Sequence, residues 1–321
     1  MGRLLRIFAV ALFVMCFSAG VLNTTALGQE TDDQVKIDMY KKFTDNRIPN
    51  PRAAYLAGKD YLAKYGKDND QYSKYISQWV GLFEREDRKL RLPALIYNDK
   101  KYAEAYKLGA QILADEPDYL KAQIDLGYAG FVAATTAKNE SFNADAINYA
   151  RQAIQALEAG KTPTDWAPFK GKDDTLAYLN ISVAALTLKS APDQAIDHIL
   201  KATQFETDLK KTPSTYFYLA YAYESGPYRS LSTAYQTQCA GKDESAACKA
   251  ALEKLNLIID RIIDAYSRAV AAAGSDPKNQ QAKAGWMTTL TNFYKYRHAD
   301  SDAGLNELIA AALSKPIPPK P

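Results

Sequence analysis

Apolar side chains recur with the spacing of an α-helix along almost the whole chain, and the alternating pattern of a β-strand is nearly absent. The clearest stripe runs from Tyr72 to Phe83, with apolar residues at i, i+3, i+4, i+7, i+8 and i+11. Stretches rich in Pro, Gly, Ser and Asp separate the stripes, and such residues end one helix or cap the next. These stretches are YGKDND (65–70), DEPD (115–118), SAPD (190–193), KKTPS (210–214) and GSDP (274–277). The pattern predicts an all-α protein.

Residues 1–28 are predicted to be a signal peptide rather than part of the fold. Arg3 and Arg6 precede an apolar run over residues 7–22, and small residues allow cleavage near Gly28. This run is shorter than the roughly 20 residues needed to cross a bilayer, so an uncleaved anchor is the weaker alternative. We therefore expect a periplasmic or secreted protein without stable membrane insertion after processing.

The processed chain would carry almost no net charge. The sequence has 40 Lys and Arg against 37 Asp and Glu, and the signal segment contains Arg3 and Arg6 but no acid. Nucleic acid and anionic membrane surfaces favour a clustered basic excess. The composition therefore predicts no nucleic-acid partner.

Processing would also remove Cys16 and leave two cysteines, Cys239 and Cys248. In an exported chain, an even pair close in sequence predicts a disulfide. A metal site and a redox pair are the alternatives. They have less support, because no histidine lies nearby and redox pairs are usually separated by only two residues.

A helix pattern of small and apolar residues recurs along the chain. Its copies are Ala105-x3-Gly109-x2-Ile112, Ala146-x3-Ala150-x2-Ala153, Ala195-x3-Ile199-x2-Ala202 and Ala265-x3-Ala269-x2-Ala272. Prolines twelve residues after the leading alanine, Pro117 and Pro277, end two of these helices. A second pattern precedes them, best seen in Tyr216-x2-Leu219-Ala220-x2-Tyr223.

Together these patterns resemble the tetratricopeptide repeat family, in which a W-x2-L-G-x2-Y helix is followed by an A-x3-F-x2-A helix and a closing proline. The resemblance covers roughly residues 85–315 and implies an α-solenoid of stacked antiparallel helical hairpins. It is degenerate, because the leading alanines at 105, 146, 195, 265 and 303 are 41, 49, 70 and 38 residues apart rather than the regular 34 of the family. A plain helical bundle is the alternative.

The expected organisation has four parts. A signal peptide (1–28) precedes an N-terminal helical cap (29–85), a repeat domain (86–314) and a proline-rich tail (315–321). Whether 29–85 is a cap or a first repeat stays open, although the missing repeat patterns favour a cap. The tail is expected to be extended and mobile, with a recognition segment as the less favoured alternative.

Two insertions interrupt the repeats. In 158–174, Trp166 and Phe169 are expected to fold back over a repeat edge rather than face a partner. In 224–251, the insertion separates the helices of one hairpin. We expect an extra helix within it, secured by the disulfide.

If the resemblance holds, the first helix of each hairpin lines a concave groove that binds an extended peptide or a partner helix. Tyrosine, present 22 times, suits such a surface. The groove residues implied by the resemblance are Lys121, Asp125, Tyr128, Phe217, Tyr221, Asn292 and Lys295.

Signatures of catalysis are missing from the sequence. The two histidines, His198 and His298, form no zinc-binding spacing, and His198 is expected to be a packed helix residue. Common hydrolase and nucleotide motifs are absent, so no cofactor or metal is predicted. Acidic runs occur at 32–33, 84–87 and 173–174, and solvated helix ends explain them more simply than a glycosidase pair.

The sequence therefore predicts an exported, non-enzymatic scaffold that binds another protein or peptide. An enzyme acting on glycans or cell-wall material is the first alternative. A carbohydrate or small-molecule binder working beside an outer-membrane transporter is the second.

Overall fold

A computed structural model describes residues 31–241 and 245–321. The predicted signal peptide lies outside these residues. Within them all regular structure is helical, which confirms the predicted all-α class for this part of the chain. No helix in this part is both long and apolar enough to cross a membrane.

The helices follow one another with short connections. They are α1 (Asp32–Asn46), α2 (Pro51–Tyr65), α3 (Gln71–Pro93), α4 (Tyr102–Asp115), α5 (Leu120–Thr136), α6 (Asn143–Glu158), α7 (Lys172–Thr187), α8 (Pro192–Ala202), α9 (Pro213–Tyr223), α10 (Arg229–Gln238), α11 (Ala246–Ala273), α12 (Gln280–Arg297) and α13 (Leu305–Ala312). Proline stands in the first turn of α2, α8 and α9, where its missing N–H leaves no helical bond unmade.

The chain forms two compact units, the first ending at Leu90 and the second beginning at Arg91. In the N-terminal unit, α1 and α2 pack together. The stripe predicted in α3 is part of the same apolar core, in which Phe43, Tyr61 and Ile76 are fully buried. The rings of Phe43 and Trp79 meet edge to face with centroids 5.2 Å apart. The predicted boundary after residue 85 lies within α3, as does the boundary between the units.

In the C-terminal unit, helices pack in pairs along the chain. Helix α5 packs on α6, α7 on α8, and α9 on α11, while α6 also contacts α7 and α8 contacts α9. The small residues of the recurring pattern lie in these contacts, and Ala146, Ala150 and Ala153 are fully buried. A Cβ on Gly127 of α5 would stand 2.8 Å from the Cα of Ala150. The small-residue pattern thus brings paired helices close together, as predicted.

The insertion between α9 and α11 contains an extra helix, α10, as expected. Cys239 immediately follows α10, and Cys248 lies in the first turn of α11. The two cysteines form a disulfide with Cα atoms 5.5 Å apart, which confirms the predicted pairing. The Oγ atom of Ser245 caps α11 by accepting from the N–H of Cys248.

The proline-rich tail, expected to be mobile, instead packs against the helices of the C-terminal unit. Its carbonyl groups accept hydrogen bonds from Arg268 and Arg261, and Ile317 packs on the core cluster that contains α8, α9 and α11. The expectation failed because both arginines lie about fifty residues earlier in the chain, so no local pattern connects them with the tail.

Candidate functional site

Two of the predicted groove residues on α5, Lys121 and Asp125, form a buried ion pair. Their exposed fractions are 4% and 0%, and the Lys121 Nζ lies 2.5 Å from Asp125 Oδ1. The ammonium also donates to the carbonyl of Ala167 at 2.7 Å. Tyr97 completes the network, because its hydroxyl donates to Asp125 Oδ1 at 2.8 Å.

The connection between α6 and α7, residues 159–171, lies over this network, and we call it the covering segment. Phe169 is buried and Trp166 is half-buried, and both pack on the cluster that contains Leu120 and Ile124 of α5. The expected folding back of these two aromatic residues is confirmed. Lys121 and Asp125 consequently face the covering segment and offer no surface to a ligand. Their burial therefore does not support the role as groove contacts that the resemblance implies for them.

Burial dominates the electrostatics of the network. It raises the pKa of the Asp125 carboxyl to about 6, against the opposing effects of the Lys121 charge and of hydrogen bonds from Lys121 and Tyr97. Burial also raises the pKa of the Tyr97 phenol, and the charge of Asp125 adds to this effect. The second carboxylate oxygen, Asp125 Oδ2, is buried and has no hydrogen-bond donor among the described residues. Through the bond from Lys121 to Ala167, such a network fixes the position of the covering segment on α5.

Tyr128, the third predicted residue on α5, lies in an aromatic cluster at the edge of the covering segment. It is half-buried, and its ring centroid lies 5.2 Å from that of Phe169 and 5.8 Å from that of Tyr178 on α7. Burial raises the pKa of both tyrosines, so both remain neutral at physiological pH. Tyr128 is therefore available to a ligand on part of its ring only.

A second group of aromatic residues joins α9 to α12. Phe217, Tyr221 and Trp286 are half-buried, and we call these three the aromatic surface. Phe217 stacks on Trp286 with centroids 5.3 Å apart and an interplanar angle of 22°. Tyr221 lies one turn after Phe217, with ring centroids 6.1 Å apart. The structure thus brings two predicted residues together with one, Trp286, that sequence reasoning missed.

The last two predicted residues, Asn292 and Lys295, also lie on α12, exposed and half-buried respectively. At about 100° per residue, Asn292 points about 120° and Lys295 about 180° away from Trp286 around the helix. They do not share the face that carries the aromatic surface. Trp286 could have been found by asking which α12 residue shares the face of Leu290, the buried residue one turn later.

A shallow depression of about 530 Å³ at the start of α7 gathers acidic and basic side chains. Lys170 Nζ donates to Asp208 Oδ2 at 2.8 Å, and its backbone N–H donates to Asp174 Oδ2 at 2.9 Å. The hydrogen bond from Lys170 lowers the pKa of the Asp208 carboxyl. A glycosidase acid needs the opposite shift. The pKa of Asp208 is therefore shifted away from the value that a hydrolase acid needs.

In the described part of the chain, no group of three or more His, Cys, Asp or Glu residues is placed to hold a metal ion. His198 is half-buried in α8, and its Nδ1 lies 2.8 Å from Asn180 Oδ1, which confirms the expectation of a packed histidine. Burial lowers the pKa of its imidazole.

Compared with protein-family models, with curated proteins and with solved structures, the chain matches none. The functional argument therefore rests on the geometry of the chain itself.

Proposed function

We propose that this protein is a non-catalytic, extracytoplasmic scaffold, that its paired helices form a solenoid of the tetratricopeptide type, and that it binds another protein or peptide. The order of packing supports the solenoid. Successive pairs α5/α6, α7/α8 and α9/α11 follow one another, and the first helices contact each other, α5 with α7 and α7 with α9. In repeats of this type the first helices line the concave face.

The aromatic surface is the observation that carries the binding role. Phe217 and Tyr221 lie on α9, the first helix of its pair, and Trp286 lies on α12; each presents part of its ring to solvent. Rigid aromatic side chains provide large contact areas at a small loss of conformational entropy, which is why they dominate binding hot spots. Stacking between Phe217 and Trp286 fixes both rings before a ligand arrives.

We assign the ligand to the α9–α12 part of the unit rather than to α5. The ion pair of Lys121 and Asp125 is enclosed by the covering segment, and separating it would leave a buried charge unpaired. Tyr128, Asn292 and Lys295 then stand outside the main contact. Of the predicted groove residues, only Phe217 and Tyr221 then belong to the proposed binding site.

The disulfide between Cys239 and Cys248 supports an oxidising, extracytoplasmic location, because such bonds persist mainly outside the cytosol. The signal peptide remains a prediction from sequence. Two carboxylates count against the alternative of a glycan-acting acid, because the pKa of Asp208 is lowered rather than raised and Asp125 is buried under the covering segment.

The test is a pull-down with immobilised residues 31–321 from an extracytoplasmic extract, followed by titration of the recovered protein against purified variants. We expect Trp286→Ala and Tyr221→Ala each to weaken binding at least about tenfold, the usual effect of truncating an aromatic hot spot. Tyr296→Ala is the matched control, because Tyr296 lies on the same helix as Trp286 and is 60% exposed.

Binding that is equally strong for Trp286→Ala and Tyr296→Ala would contradict the assignment of the aromatic surface. Retention of no protein, together with turnover of a polysaccharide substrate, would contradict the scaffold role itself. Circular dichroism of each variant separates loss of binding from loss of fold.

A further inference from the structure

Three basic side chains hold the tail in place, two from α11 and one from the tail itself. The two arginines of α11 donate to main-chain carbonyls of the tail. Arg268 donates from Nη1 to the carbonyl of Lys315 at 3.0 Å and from Nη2 to that of Pro316 at 2.8 Å. Arg261 donates from Nε to the carbonyl of Pro319 at 2.8 Å. Lys320, a tail residue, donates to Asp197 Oδ1 of α8 at 2.8 Å.

The guanidinium of Arg268 is oriented to donate to such carbonyls. Its side chain is 2% exposed, and Asp264 accepts from Nε and Nη2 at 2.7 and 3.1 Å, which orients the guanidinium. A guanidinium has five N–H donors and no acceptor. Two donors of this oriented guanidinium, Nη1 and Nη2, are taken by the carbonyls of Lys315 and Pro316. The site therefore presents fixed donors to the carbonyls of a peptide backbone.

The chemistry of this site matches a proline-rich segment. Pro316, Pro318 and Pro319 have no N–H, so the segment brings acceptors to the arginines without bringing donors that would need partners. Proline also restricts the backbone before binding, so less conformational entropy is lost. Ile317 supplies the apolar contact, and a basic residue follows to reach Asp197.

The tail does not fill the site. Beside it lies an open cleft of about 530 Å³, in contact with the tail along Lys315–Lys320. The rest of the lining is formed by Leu200, Thr203, Gln204, Lys210, Tyr216, Arg268 and Leu313. None of these residues belongs to the aromatic surface, so this cleft is a separate site.

We propose that the position of the tail on α8, α9 and α11, together with the cleft beside it, is a recognition site for an extended proline-rich peptide with a basic residue after its prolines, and that the tail 315–321 is the intramolecular competitor of such a peptide. A peptide of this chemistry binds when the tail leaves. The tail is held more strongly at its start than at its end. Arg268, which binds the start, is buried, whereas the side chains of Lys320 and Asp197 at the end are 36% and 61% exposed. Displacement therefore begins at Lys320.

The test uses the full chain and a fluorescein-labelled peptide of residues 314–321, SKPIPPKP, with fluorescence anisotropy as the readout. Ile317→Asp in the chain removes the apolar contact of the tail and frees the cleft. Because a short tether gives an effective concentration on the order of millimolar, we expect this variant to bind the peptide at least about tenfold more tightly than the unsubstituted chain. Pro321→Asp, a change at an exposed position of the tail, should bind like the unsubstituted chain.

A second pair of variants tests the specificity for the basic residue. In the Ile317→Asp chain, Asp197→Asn should weaken peptide binding about threefold to tenfold, as loss of one exposed charged contact does. Asp118→Asn is the matched control, because Asp118 is an exposed acid at the start of α5, away from the cleft. Equal effects of the two changes would overturn the assignment of Asp197.

The unsubstituted chain provides a measurement that does not depend on any variant folding. We expect the ¹³C-methyl resonance of Ile317 to move to its free-peptide position as unlabelled SKPIPPKP is added at millimolar concentration. A resonance that stays in place, or an Ile317→Asp chain that folds but binds no more tightly than the unsubstituted chain, overturns the proposal. Neither result bears on the aromatic surface, whose ligand is measured separately.

Discussion

Lys121 and Asp125 meet one turn apart on α5 with Nζ and Oδ1 at 2.5 Å, and neither side chain is more than 5% exposed. The positive charge of Lys121 opposes the effect of burial on the Asp125 carboxylate. We expect Lys121→Met to lower the free energy of unfolding of the C-terminal unit at pH 7 by about 1–3 kcal/mol, because the buried carboxylate loses this partner. Guanidinium denaturation followed by circular dichroism measures this change.

Glu206 and Lys210 provide the matched control, since they form the same type of i, i+4 ion pair in a solvent-exposed position. Lys210→Met should cost less than about 1 kcal/mol. The double change Lys121→Met with Asp125→Asn should recover much of the stability lost in Lys121→Met, because it removes both charges. A double variant no more stable than the single one would show that the charges do not act as a pair.

Stability should also depend on pH through Asp125. Burial raises the pKa of its carboxyl to about 6 in the folded chain, above the ordinary value of 3.8 that it regains on unfolding. Between these values the folded state holds the additional proton, so the free energy of unfolding rises as the pH falls from about 6 to 4. The full contribution is on the order of 3 kcal/mol.

Denaturation at pH 7, 6, 5 and 4 checks this prediction when the unsubstituted chain is compared with Lys121→Met/Asp125→Asn. The unsubstituted chain should gain stability relative to the double variant as the pH falls. The lowered pKa of His198 acts in the opposite direction. It is present in both proteins and cancels in the difference. A relative loss of stability at low pH would show that the ion pair outweighs burial.

Two glycines in helices should respond in opposite ways to alanine. A Cβ on Gly127 would lie 2.8 Å from the Cα and 2.9 Å from the backbone N of Ala150, whereas a Cβ on Gly285 of α12 meets no atom within 4 Å. Gly127→Ala should destabilise the C-terminal unit by about 1–3 kcal/mol, because backbone cannot move aside easily. Gly285→Ala should stabilise it by up to about 1 kcal/mol. Thermal unfolding of both variants makes the comparison, and the same sign for both would contradict the close packing of α5 on α6.

The sequence predicted helices and their small-residue contacts well because both depend on neighbours a few residues apart. Ala146 and Ala150 were assigned to a packed helix face from their spacing alone, and both are fully buried. Contacts between residues far apart in the sequence could not be predicted from such local patterns. Lys121 and Asp125 look like exposed groove residues until the carbonyl of Ala167, 46 positions away, closes over them.

The same limit explains the tail and the aromatic surface. The tail was expected to move freely, since nothing near residue 315 in the sequence indicates Arg268, which donates to two of its carbonyls. Trp286 was missed because its partner, Phe217, is separated from it by the insertion that contains α10. A contact between repeats separated by an insertion leaves no periodic trace in the sequence.

The disulfide should stabilise the chain by restricting its unfolded state. Cys239 and Cys248 are nine positions apart, and for a loop of this length the chain-entropy argument gives about 2.5–3 kcal/mol. Cys239→Ser/Cys248→Ser should lower the free energy of unfolding by about that amount under oxidising conditions.

Helix α10 contains no buried residue, so it depends on this link more than on its own packing. We therefore also expect trypsin to cut between Arg229 and Lys249 faster in the variant than in the unsubstituted chain. Dithiothreitol should bring the unsubstituted chain to the stability of the variant and leave the variant unchanged, and equal stability of the two proteins without reductant would contradict the prediction.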